Sequence, residues 1–208
     1  MPADRKARVG ILISGRGSNM AALIDAAGRE DCPYEVAIVI SNVPDAPGLA
    51  YAADRGIPTF ALSHKGVKRA EFDLLVDGAL RDARIEYVAL AGYMRLLSPG
   101  FVDRWAGRMV NIHPSLLPAY KGLDTHQRAL DAGETRHGCT VHLVTAELDD
   151  GPILAQAEVP ILPGDDSATL ANRVLVEEHR LYPAALAALI RRTDAVQPPA
   201  AIITPGQE

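Results

Sequence analysis

The feature that most constrains this chain is a rhythm of short runs that are apolar on both faces, each followed by a stretch with helical spacing. Arg8-Val-Gly-Ile-Leu-Ile-Ser14, Glu35–Ile40, Tyr87–Ala91 and Arg108–His113 are such runs. A strand with one face in water alternates polar and apolar residues. These runs do not alternate, so both faces have to be covered, as happens when helices pack on the two sides of a parallel sheet. Between the runs, Met20, Leu23, Ile24 and Ala27 share one helical face, and Phe72, Leu75, Val76, Ala79 and Leu80 share another. Ser18 or Asn19 stands where it can cap the first of these helices. Ala46–Arg55 reads as a further helix and Pro58–Leu62 as a short strand. The expected fold is α/β: a doubly wound, mostly parallel, Rossmann-like sheet.

After His113 the rhythm changes. Gly138–Thr145 and Pro152–Ile161 are strand-like and joined through Glu147-Leu-Asp-Asp-Gly151, which predicts a C-terminal β-hairpin. A long closing helix is expected from about Ser167 to Arg191. No repeat or linker interrupts the pattern, so residues 1–192 read as a single domain and 193–208 as a Pro/Ala-rich tail, expected to be partly disordered.

Charge narrows the partners. A net charge of −5 over 208 residues, with no basic cluster larger than that around Lys65–Arg69, argues against gripping a nucleic acid. No apolar run approaches the ~20 residues needed to cross a bilayer, and the polar N-terminus has no secretory pattern. Cys32 and Cys139 lie far apart with no CxxC spacing, so buried free thiols in a reducing cytoplasm are expected. Of the six histidines none falls in HExxH, and no metal is called for.

Ser14-Gly-Arg-Gly-Ser-Asn19 sits between a strand and a helix, where backbone amides and a helix N-terminus converge on an anion. A dinucleotide fingerprint would place a third glycine where Met20 stands, and an acid after the second strand, which ends instead at Ser41-Asn42. A phosphate loop of the nucleotide triphosphatases would need GKS or GKT, which is absent. A tight turn without a ligand is the bland reading. A phosphomonoester site suits the loop better.

Asn111-Ile-His-Pro-Ser-Leu-Leu-Pro118 carries the strongest chemistry. Residues two apart on a strand face the same way, so Asn111 and His113 can point into one site at the strand's C-terminal end. Pro114 stops the strand there. An amide donor beside an imidazole suits a tetrahedral oxyanion. Asp149 and Asp150 before Gly151 are also ordinary turn chemistry, and nothing local prefers one acid over the other.

Ser14-Gly-x-Gly-Ser-Asn19, Ala91-Gly-Tyr-Met-Arg-Leu-Leu97, Asn111-Ile-His-Pro-Ser-Leu-Leu-Pro118 and Glu147-Leu-Asp-Asp-Gly-Pro152 occur in this order. In these motifs the chain resembles the glycinamide ribonucleotide formyltransferase family, from about Arg8 to Ala188. The resemblance implies transfer of the formyl group of 10-formyltetrahydrofolate, a co-substrate, to the amine of 5'-phosphoribosylglycinamide in purine biosynthesis. It implies direct attack through a tetrahedral intermediate. Asn111, His113 and Asp149 would form the catalytic trio, with Asp149 holding the imidazole charged. Gly17, Ser18 and Asn19 would hold the phosphate, and Glu178 the ribose. Met94, Arg95, Leu96 and Leu97, together with Thr145, Ala146, Glu147, Leu148, Asp149 and Asn111, would line the folate pocket, with Arg69 near the folate's glutamate tail. The family includes monomers and homodimers. This chain departs from its relatives in carrying Asp150 after the implied catalytic acid and Asp124 where several have histidine, and His126 reads as a helix-start residue. The related tRNA formyltransferases and formyltetrahydrofolate deformylases carry further domains that the length and charge of this chain do not suggest, and a folate- or nucleotide-sensing module on the same fold is the non-enzymatic alternative.

Overall fold

A computed structural model describes residues 5–196. In chain order the elements are β1 (Ala7–Ile13), α1 (Ser18–Ala27), β2 (Tyr34–Ser41), α2 (Pro47–Ala53), β3 (Thr59–Ala61), α3 (Arg69–Asp82), β4 (Tyr87–Leu90), α4 (Pro99–Arg104), β5 (Met109–His113), α5 (Thr125–Asp131), β6 (Arg136–Leu143), β7 (Ile153–Pro160) and α6 (Ser167–Val196). The strands form one seven-stranded sheet in the order β3-β2-β1-β4-β5-β6-β7. Pairing is parallel from β3 through β5, then antiparallel to β6 and β7. The chain winds outward from β1 to β3 and then returns to β4. The C-terminal ends of β1 and β4 therefore flank the crevice where open α/β sheets take ligands.

Both faces of the sheet are covered, which is why its central strands are apolar throughout. On one face Val9, Ile11 and Ile13 pack with Met20 and Leu23 of α1 and with Tyr182 and Leu186 of α6. On the other, Leu12, Val88 and Leu90 meet Phe72 and Val76 of α3 and Trp105 beyond α4. Each such side chain, fully buried, contributes roughly 1.5–3 kcal/mol. The Tyr182 hydroxyl, fully buried, points at the carbonyls of Leu90 (2.9 Å) and Val110 (3.1 Å) and so ties α6 to β4 and β5. That bond spares the core an unsatisfied polar group.

The doubly wound sheet, the hairpin and the closing helix stand as expected. Two local readings are corrected, and two short helices are added. The cap of α1 is Gly17, in a left-handed conformation (φ 72°), and neither Ser18 nor Asn19 makes a side-chain capping bond. The short helices α4 and α5 fall in stretches too brief to show a helical period. Helix α6 runs to Val196, past the expected end at Arg191 and into the predicted tail. Beyond Ile190, Arg191 bonds to the Asp31 carbonyl at 2.8 Å and the Thr193 hydroxyl to the Leu189 carbonyl at 3.0 Å. The remainder of the tail, 197–208, lies outside the described residues.

Candidate active site

Asn111 and His113 occupy the end of β5, and β6 runs antiparallel beside them with Asn111 opposite His142 and His113 opposite Thr140. His142 and His113 are buried, as is Asp149. The Asn111 Nδ2 group lies 3.2 Å from His142 Nε2, and His142 Nδ1 lies 2.9 Å from the Leu143 carbonyl. Only one assignment satisfies both contacts: Nδ1–H donates to Leu143 and the Nε2 lone pair accepts from Asn111. Burial lowers the His142 pKa, opposed by the Leu143 carbonyl and by Asp149, which agrees with a neutral ring. The Asn111 amide is thereby turned to a fixed orientation and keeps its second hydrogen for another acceptor. The sequence around His142 gives it no partner. Its partner is visible only once β5 and β6 pair antiparallel.

The structure brings Asp149, rather than Asp150, to this strand end. Asp149 sits in a left-handed turn (φ 50°), followed by Gly151, where an added Cβ would fall 1.7 Å from the Leu143 carbonyl oxygen. The tight turn aims the carboxylate inward. Its Oδ2 accepts the Gly122 N–H at 2.9 Å and faces His113 Nδ1 at 3.4 Å, while Oδ1 lies 3.8 Å from His142 Nε2. On the other side of the ring, His113 Nε2 donates to the Tyr120 carbonyl at 3.0 Å. Nδ1 is thus the position at which a proton can pass between imidazole and carboxylate. Asp150 is half exposed and ion-paired with Lys121.

The loop after β5 is held by buried polar groups. The Thr140 hydroxyl donates to the Ser115 carbonyl and accepts from Leu117 N–H and Gln156 Nε2. Thr125 bonds to the Pro114 carbonyl at 2.6 Å. Asp124 is the left-handed N-cap of α5, and His126, in the first turn of that helix, lies with its Nδ1 3.1 Å from His137 Nε2. Burial, then the charge of His126, pushes His137 down to about 4. Among the described residues no three His, Cys, Asp or Glu side chains are grouped as a metal site. Both cysteines are buried and free, and burial raises the Cys139 thiol to about 12, too high for a thiolate nucleophile near neutral pH.

Across the crevice, the glycine loop presents backbone. A Cβ on Gly17 would meet Met20 Cε at 2.9 Å. Gly48, at the start of α2, donates its N–H to the Gly15 carbonyl at 3.1 Å, and a Cβ there would come within 3.0 Å of that carbonyl oxygen and 2.6 Å of Ile13. Gly48 therefore lets α2 close on the loop, a role its position in a Pro-Gly pair did not announce. Ser18 is exposed. Asn19 Nδ2 donates to Glu178 Oε2 at 2.6 Å, and Asn19 Oδ1, buried, has no hydrogen-bond partner within the protein. Burial raises the Glu178 carboxyl above its ordinary pKa, and the Asn19 amide partly offsets this.

The two segments assigned to the folate bare their apolar side chains: Met94 is 66% exposed, Leu96 55% and Leu148 57%. Ala146 and Glu147 are exposed too, while Arg95, Leu97 and Thr145 are half-buried. Arg95 lies over the Phe72 ring at 4.8 Å, and Asp73 accepts the Ser98 N–H at 2.6 Å, so α3 supports the first segment from below. Arg69 opens α3 and is exposed. A groove of about 820 Å³ between α1 and α6 reaches Ser18 but none of Asn111, His113 or Asp149.

Residues 7–186 match the formyl transferase family. The chain is 43% identical over 177 residues to the phosphoribosylglycinamide formyltransferase of Haemophilus influenzae, covering 85% of this chain and 84% of that one. It is 49% identical over 183 residues to the human trifunctional purine biosynthetic protein adenosine-3, covering 88% of this chain but only 18% of that much longer protein. The solved phosphoribosylglycinamide formyltransferase of Brucella melitensis superposes with a TM-score of 0.86 at 51% identity, covering 89% of this chain and 96% of that one.

Proposed function

Since the chain belongs to the formyl transferase family, alongside the phosphoribosylglycinamide formyltransferases, we propose that it moves the formyl group of 10-formyltetrahydrofolate to the amine of 5'-phosphoribosylglycinamide. The observation that carries this reading is the meeting of Asn111, His113 and Asp149 at the end of β5, with an amide, an imidazole and a carboxylate on one small surface. In this reading the free hydrogen of Asn111 Nδ2 faces the oxyanion formed when the amine attacks the formyl carbon, and His113, its two nitrogens held by Tyr120 and Asp149, adds the charge of its protonated ring. The attacking amine gives up a proton through water to the Asp149 carboxylate, and the folate nitrogen takes one up through the same relay as its bond to the formyl carbon breaks. No covalent bond to the protein is required.

The backbone amides of Gly17, Ser18 and Asn19 take the phosphate at the N-terminus of α1, and Glu178, held beside Asn19, takes the ribose hydroxyls. Met94–Leu97 and Thr145–Asp149 take the pterin, a role supported by the exposed apolar side chains of Met94, Leu96 and Leu148. Arg69 reaches the glutamate tail. Residues 1–192 act as one catalytic domain, and the free, buried cysteines favour a reducing cytoplasm.

A spectrophotometric assay with 10-formyltetrahydrofolate, with and without the ribonucleotide, tests the proposal. Formyl loss that needs the ribonucleotide supports transfer. Loss without it would make the chain a deformylase, and binding without turnover would make it a sensor.

A further inference from the structure

We propose that Ser14 and Asn42 are positioning residues that couple ribonucleotide binding to folate binding: Ser14 leads directly into the glycine loop and is tied by hydrogen bonds to Met94 and to Asn42. The proposal rests on the ligand assignment above and goes beyond it. Ser14 follows the last residue of β1 and precedes the glycine loop. Its hydroxyl accepts the backbone N–H of Met94 at 2.7 Å and donates to Asn42 Oδ1 at 2.6 Å. A hydroxyl carries one proton, so these two bonds fix its direction. Asn42, only 2% exposed beyond the end of β2, is clamped in turn by His64. The Nδ1 of that ring lies 3.1 Å from Asn42 Nδ2 and 2.9 Å from the Asn42 carbonyl. Whichever of the two contacts the ring takes, Asn42 is held.

Ser14 touches neither the reacting atoms nor the position assigned to the phosphate. It joins two segments that are separated by 80 residues in the chain: the start of the phosphate loop and the first residue of the folate segment. Met94 is 66% exposed, and its backbone bond to Ser14 ties it to the end of β1. A phosphate that orders the glycine loop restrains Ser14, and through it Met94. By linkage, a folate that orders Met94 assists the phosphate to the same degree. Hydrogen bonds aligned in one direction polarise one another, which strengthens the tie.

The test is to titrate tetrahydrofolate with and without saturating glycinamide ribonucleotide in the unmodified chain and in Ser14→Ala, Asn42→Ala and Ser14→Thr. The unmodified chain is expected to bind tetrahydrofolate about fivefold or more tighter when the ribonucleotide is present. In Ser14→Ala and Asn42→Ala that factor falls to about one, while affinity for the ribonucleotide alone changes by less than about twofold. Ser14→Thr, which keeps the hydroxyl, retains the coupling. A residue that merely supported the fold would weaken both ligands together and leave their ratio intact. If Ser14→Ala does not fold, Asn42→Ala tests the next link in the same chain. Absence of coupling in the unmodified chain, or the same factor in both alanine variants, overturns the inference. Failure of the unmodified chain to bind either ligand would sink the ligand assignment as well, and is thereby distinguished.

Discussion

The two sides of the crevice are built from different material. At the end of β1 the groups proposed to meet a ligand are backbone amides, and the sequence requirement is negative: no Cβ at Gly17 or Gly48. At the end of β5 they are side chains, and each is oriented by a partner from another element: Asn111 by His142 of β6, His113 by the Tyr120 carbonyl and by Asp149. Backbone sites bind by shape and dipole, which tolerate small errors. A proton relay does not, because a shift of 1 Å removes a hydrogen bond. The side-chain region therefore carries more supporting contacts than the glycine loop, and it should lose more rate for each atom changed.

The largest effect is expected at that strand end. His113→Ala and Asp149→Asn should each lower kcat roughly 10²–10³-fold, with substrate KM values nearly unchanged. Steady-state kinetics on variants with intact thermal transitions checks this, and near-normal turnover in either would remove the side-chain region from the chemistry. The matched change in the backbone region is Gly17→Ala. It forces a Cβ into a left-handed residue and against Met20, so it should raise the ribonucleotide KM roughly tenfold, equivalent to about 1.4 kcal/mol. Turnover at saturation should persist. An equal loss of kcat would mean that the two regions are not separable.

Acid separates the regions by sign. His137, pushed by burial and by His126 from 6.5 to about 4, binds fewer protons folded than unfolded between those values. It therefore destabilises the fold as pH drops through that window, and stability rises with pH. Glu178 is raised by burial and so binds more protons folded than unfolded above its ordinary 4.5. Its contribution is full below that value and falls as pH rises. Each group contributes at most about 1.4 kcal/mol per pH unit. Denaturant titrations between pH 4 and 7 should show His137→Gln flattening the rise and Glu178→Gln steepening it. The same sign for both would contradict the burial-based assignment.

The difference in material also decides what is legible in the sequence. A run apolar on both faces can hardly be anything but a covered strand, so the sheet and its winding were legible. The glycine loop was legible because its signal is local: strand, glycines and helix lie within one short stretch. Asn111 and His113 were legible by their spacing of two. The choice of Asp149 over Asp150 came only from the family resemblance and not from local chemistry, because it depends on a left-handed turn and on Gly151 sitting against Leu143. His142 and Gly48 were missed for a similar reason: each acts on a partner brought to it by pairing or packing, and its own neighbours in sequence give no sign. The Ser18 or Asn19 cap failed because Gly17 had already taken the cap position in a conformation that dispenses with a side-chain acceptor.

Asp150 supplies the smallest expected effect and the sharpest control. It is the neighbour of Asp149 and has the same chemistry, yet it is half exposed, and its ion pair is with Lys121 rather than with either histidine. An exposed pair of this kind contributes about 0–1 kcal/mol. Asp150→Asn should therefore leave kcat, both KM values and the acid limb of stability within experimental error, while Asp149→Asn removes most turnover. The contrast isolates geometry from composition, since the two variants lose the same charge one residue apart. A large kinetic effect at Asp150 would show that the Lys121 pair holds the loop on which Asp149 depends, and the side-chain region would then extend one layer further out than its hydrogen bonds to β5 and β6 indicate.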